Sequence, residues 1–198
     1  MFRTLAKVCC GALISLPSAA FAHPGVAGHF HGISNGFNHP LSGIDHILAM
    51  VAVGLFAAHL GGRALWLVPA TFVAMMAISG IAGMSGMELP FVEIGITASV
   101  IALGLAIAFQ ISVPTLVAAA FAGVFAIFHG YAHGAEMPAS ISGLAYGVGF
   151  VCATALLHGV GLALGLAVNK LGRVHSRAVS QVGGFVMAVT GVVLLFAS

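Results

Sequence analysis

Six apolar stretches, roughly 41–60, 64–85, 91–110, 114–131, 143–168 and 179–197, follow one another with short breaks between them. Each is close to the ~20 residues that a helix needs to cross a bilayer. Only 5% of the 198 residues are charged, too few to coat the surface of a water-soluble domain of this length. Backbone polar groups in hydrocarbon must bond within their own segment, which leaves helices or a closed barrel. The apolar runs are continuous and do not alternate, which argues against a barrel. The expected fold class is all-α: a polytopic membrane protein with six transmembrane helices.

The first 22 residues are a separate case. Arg3 and Lys7 form a basic start, Val8 to Leu16 a short apolar core, and Ala20-Phe21-Ala22 a small-x-small end. That pattern is expected to be a cleaved secretory signal peptide, leaving His23 as the new N-terminus. Residues 23–38 then form a periplasmic tail rich in His and Gly, and 39–198 the membrane domain. Cys9 and Cys10 leave with the signal, so Cys152 has no disulfide partner and no thiolate metal site is available. Arg63, Lys170, Arg173 and Arg177 sit in the breaks after the first and fifth spans, whereas Glu88, Glu93 and Glu136 sit in or near the others. The positive-inside rule puts the basic loops in the cytoplasm and both mature termini outside. The 27 glycines fit a close-packed bundle and self-association. Nothing in the charge pattern points to nucleic acid.

Ionisable residues inside membrane segments are expensive and mark function. Here they concentrate in two places. "NHPLSGIDH" carries His39, Asp45 and His46, with the two histidines seven apart and hence on one face of a continuous helix. "FHGYAHGAE" carries His129, His133 and Glu136 at i, i+4 and i+7, one stripe of a helix. The topology brings both to the outer side, with His129 about 6 Å deeper than His133 at 1.5 Å rise per residue. Imidazole with carboxylate suits borderline divalent ions such as Ni²⁺, Co²⁺ or Zn²⁺.

The two motifs, "HPLSGIDH" and "FHGYAHGAE", resemble the hallmark motifs of the HupE/UreJ family of nickel and cobalt permeases, and the likeness extends over essentially the whole chain. The resemblance implies secondary uptake of Ni²⁺, sometimes Co²⁺, across the bacterial inner membrane to supply hydrogenase or urease assembly. It carries His39, Asp45, His46, His129, His133 and Glu136 over as metal ligands. The ion is then cargo; no prosthetic group and no enzymatic activity are expected. No G-x-x-x-x-G-K-[ST] loop for ATP occurs, and H-E-x-x-H is absent. Two other readings stand beside it: an accessory or sensor protein that binds metal without moving it, and a haem subunit, which would need histidine pairs deep in the bundle.

Further residues carry weaker expectations. Glu93 lies at the outer level and is a candidate for the ion path. His23, His29 and His31 could collect metal in the tail. His59, Gln110 and His158 are expected near the inner ends of their helices as a polar ring. Trp66 and Tyr146 read as interface anchors, His175 as a solvated loop residue, and Met75, Met76, Met84 and Met87 as packing.

Overall fold

The computed structural model describes residues 28–138 and 140–197, without the side chains of 28–30 and Arg173. The expected signal peptide and His23 lie outside the described residues, as does the side chain of His29. Among the described residues there are only helices: α1 Gly28–Asn38, α2 Ile44–Leu60, α3 Ala64–Met84, α4 Val92–Ala108, α5 Thr115–Ala135, α6 Gly143–Asn169 and α7 Arg173–Ala197, with a short 3-10 turn at His39–Leu41. This is a multi-pass membrane protein. The helices α3, α5, α6 and α7 are each long and apolar enough to cross a bilayer. The segment His31–Leu41 with α2 passes as a single span bent by 81°. α4, at 17 residues, is shorter.

Three boundaries depart from the sequence reading, each for a local reason. His39 and His46 do not share one continuous helix. Pro40 has no N–H for a helix interior, Ser42 folds back so that its N–H and its hydroxyl both donate to the His39 carbonyl (3.0 and 2.6 Å), and Gly43 is extended. Residues 28–38 form a helix packed on α6 in place of a loose tail. Phe91 and Gln110, with φ of 61° and 54°, end α4 on both sides and hold it below the ~20 residues of a full crossing.

Apolar side chains give no net drive for helices to associate in lipid, so packing depends on close backbone approach. Glycine supplies it in three helix pairs. A Cβ on Gly130 would collide with the Met76 carbonyl, and one on Gly134 with the Gly80 carbonyl, so α3 and α5 touch backbone to backbone. α2 and α6 meet in the same way at Gly54 and Gly161, and α4 meets α7 at Gly104 and Gly184. The contacts advance together along both helices, Thr71 and Met75 against Gly123, Met76 against Gly130 and Gly80 against Gly134, so α3 lies parallel to α5. One end of the bundle therefore gathers the start of α2, the end of α5 and the start of α6, with Asp45 and Glu136. Asn169 at the opposite end donates to the Ala58 carbonyl (3.2 Å), and Arg63 and Lys170 lie there with the α6–α7 turn.

The glycine contacts make a test on one helix. Gly161→Leu should cost about 3 kcal/mol or more, because overpacking here meets backbone. Gly159→Leu, whose added side chain meets open space, should leave the melting temperature in detergent unchanged.

Candidate metal site

The α5 stripe forms because residues 129, 133 and 136 follow the helical repeat up to the last turn, where Glu136 caps the helix. His129 and His133 are buried and the Glu136 side chain is 57% exposed. The break at residues 39–43 decides what meets them. With the chain bent there, His39 approaches from one direction and His46 from another. The His133 ring lies 4.7 Å from His39 and 4.3 Å from His46, centroid to centroid. Phe150 closes a further side at 4.2 Å. A continuous helix would have left His39 and His46 about 10 Å apart along its axis.

The donors form two tiers. In the outer tier, one ligand atom each from His39, His133 and Glu136 lies within 4.8 Å of the others. His39 Nε2 donates to Glu136 Oε2 at 3.0 Å. Donors around an ion at about 2.1 Å stand roughly 3–4 Å apart, so a small side-chain adjustment closes this set on a divalent ion. In the inner tier His46 and His129 lie 5.0 Å apart. Asp45 Oδ1 accepts both the His46 backbone N–H and Nδ1–H at 2.8 Å. A carboxylate has no proton to give, so Nδ1 carries the hydrogen and Nε2 keeps a lone pair. Ser99 acts likewise on His129. Its hydroxyl hydrogen goes to the Ile96 carbonyl (2.6 Å), so it accepts from His129 Nε2–H at 2.9 Å and leaves Nδ1 bare. His46 Nε2, His129 Nδ1 and both His133 nitrogens are buried without a partner in the protein. Carboxylate or hydroxyl partners behind imidazoles, with bare nitrogens in front, are the arrangement that holds metal ligands in orientation.

All six motif residues thus come together at one end of the bundle. Other expected residues do not. Glu93 is exposed in the first turn of α4, outside the convergent set. His31 is exposed on α1. Gln110 turns its amide onto the Ile107 carbonyl (2.7 Å) and closes its own helix end. His59 lines a cavity of about 220 Å³ with Asn169 at the basic end. His158 is not near an inner end: it is 2% exposed, in the middle of the bundle, because α6 extends eleven residues beyond it to Asn169. Tyr146 is no interface anchor. It is buried with its ring 5.9 Å from His39, because α6 starts early enough to bring its second turn under the site. Trp66 is exposed as a lipid-facing anchor would be, and His175 is exposed. Ser99 escaped the sequence reading; its only signal was a small hydroxyl within an apolar run, common in membrane helices.

The fold and the site define a helical multi-pass membrane protein with a histidine–carboxylate cluster at one end of its bundle. A family model described as "HupE / UreJ protein" matches residues 11–194. The chain is 46% identical over 184 residues to Protein HupE of Rhizobium leguminosarum bv. viciae, covering 93% of this chain and 94% of that protein. It belongs to the HupE/UreJ family. No solved structure matches the chain.

Asp45→Asn keeps the shape of the side chain and removes the charge that fixes His46. Loss of such a supporting partner should weaken Ni²⁺ binding by about 10–100-fold. Calorimetric titration of the purified protein checks this, and the melting temperature checks that the fold remains.

Proposed function

We propose that the protein is a secondary permease for a divalent transition metal, Ni²⁺ first and Co²⁺ as a second substrate. In this reading it works in the bacterial inner membrane and supplies hydrogenase or urease maturation. The observation that carries the proposal is the convergence of His39, His133 and Glu136, from two distant motifs, on donor atoms within 4.8 Å of one another. Family membership supports the metal. The chemistry agrees: imidazole and carboxylate bind borderline ions without the tight hold of thiolates, so the ion can leave.

The proposed topology has six crossings, α2 to α7, after a cleaved signal peptide, with both mature termini in the periplasm and the basic end in the cytoplasm. The short α2 and α4 cross by placing their outer ends at the polar site. Metal is captured at the outer tier by His39, His133 and Glu136. It passes to His46 and His129, which Asp45 and Ser99 hold with lone pairs free. His23, His29 and His31 of the N-terminal tail collect metal outside, and Glu93 adds negative charge along the ion path. The protein catalyses no covalent chemistry and carries no prosthetic group. Copies of the chain associate within the membrane.

Uptake of Ni²⁺ into proteoliposomes, read by a trapped metal-sensitive dye, tests the reading. His133→Ala should reduce uptake at least 100-fold in correctly inserted protein, since His133 faces both tiers. Metal binding without uptake by the wild type would instead make the protein a membrane accessory or sensor. Protons compete with metal for imidazole nitrogens. Uptake should therefore fall as the external solution is acidified. A rate that does not change with acidification until the protein unfolds would remove histidine from the capture step.

A further inference from the structure

His158 has no role in the site described, yet both its ring nitrogens are buried without a partner in the protein. It lies one turn from Thr154 on the same face of α6, and Thr154 is fully buried. Across from them stand Phe72 and Met76 of α3, also one turn apart and buried. The Phe72 ring is 5.2 Å from His158 and 5.7 Å from His129. The Thr154 hydroxyl donates to the Met76 sulfur at 3.6 Å. An imidazole, a thioether and a hydroxyl thus share one enclosed place in the middle of an apolar bundle.

Two cavities lie along α6. A largely apolar one of about 560 Å³ between α3 and α6 has His133 and Met76 on its wall and reaches Cys152. The other, about 220 Å³, is lined by His59, Leu164 and Asn169. Along α6, His158 is six residues from Cys152 and six from Leu164, about 9 Å each way at 1.5 Å per residue. Gly54 of α2 lets the His158 carbonyl pack against its backbone, which fixes α6 at this level.

We propose that His158, flanked by Met76 and Thr154, is a second, transient station for the divalent metal ion, between the outer histidine–carboxylate site and the inner His59 cavity. The proposal rests on the permease reading. An imidazole held bare in an apolar bundle is retained for a ligand, because an apolar residue of similar volume would fill the position with no polar atom to bury. Imidazole with thioether accepts borderline and softer ions. A small neutral donor set binds such an ion weakly, as a site on a conducting path must.

The experiment compares full-length wild type, His133→Ala and His158→Leu in proteoliposomes with the trapped dye, using Ni²⁺ alone. Ni²⁺ binding and melting temperature are measured on the same preparations. His158→Leu should lower uptake at least tenfold, keep Ni²⁺ affinity at the outer site within twofold, and melt no lower than wild type. Uptake within twofold of wild type would overturn the station. Should His158→Leu not fold, the double variant Met76→Leu/Thr154→Val decides, with about threefold slower uptake expected and an unchanged rate overturning the proposal. Uptake that depends on His133 but not on His158 sinks this inference alone. Uptake that is absent in the wild type, or unaffected by His133→Ala, sinks the permease reading and this inference with it.

Discussion

The controlling constraint in this bundle is the placing of bare imidazole nitrogens where water is scarce. Among the described residues, His46, His59, His129, His133 and His158 together bury seven ring nitrogens with no partner in the protein. A buried polar atom left unpaired costs about 1–3 kcal/mol. Apolar side chains at these positions would relieve that cost, and a helical membrane protein has no structural need for imidazole there. The site is therefore held against local stability by contacts elsewhere in the fold.

Those contacts are the glycine seams. Each glycine inside a helix costs about 1 kcal/mol relative to alanine in isolation. In the bundle it lets two backbones touch, and dispersion over the whole seam offsets the cost. Gly130 and Gly134 alternate with His129 and His133 along α5. The glycines press α5 onto α3, and that contact turns the neighbouring histidines toward α2 and α4. Seam and site share one stretch of sequence. The residues that fix the helix also fix the ligand stripe, so loss of the seam would move both rings together.

Much of this was legible in the sequence, and the failures have physical causes. Continuous apolar runs identified helices, because hydrocarbon leaves the backbone few choices. The α5 stripe was readable because it lies within one helix, where spacing alone sets direction. The first motif was not, since the bend after Pro40 and Gly43 replaced one face with two approaches. His158 and Tyr146 were misplaced although the span read as 143–168 matches α6, because the helices packed against α6 bury both residues and spacing within one helix does not reveal its neighbours. Ser99 was invisible for another reason: its meaning lies in a contact thirty residues away. Charge was the better guide to topology. The acidic residues and the two motifs were read to one end and Arg63 and Lys170 to the other, and the helix contacts arrange the chain in the same way.

The donors also change with depth. The outer tier has Glu136 and the inner tier has Asp45, so the carboxylates stand at the end of the bundle. His129 has a serine hydroxyl behind it in place of a carboxylate, and His158 has only neutral neighbours on α3 and α6. Charge in a low-dielectric interior is stabilised chiefly by nearby opposite charge. A divalent cation would therefore rest at the carboxylate tiers and stand higher in free energy among the neutral donors. Neutral donors at that depth would bind such an ion more weakly than a buried carboxylate would. Asp45 is the deepest carboxylate of the cluster, and the imidazoles beyond it have only neutral partners.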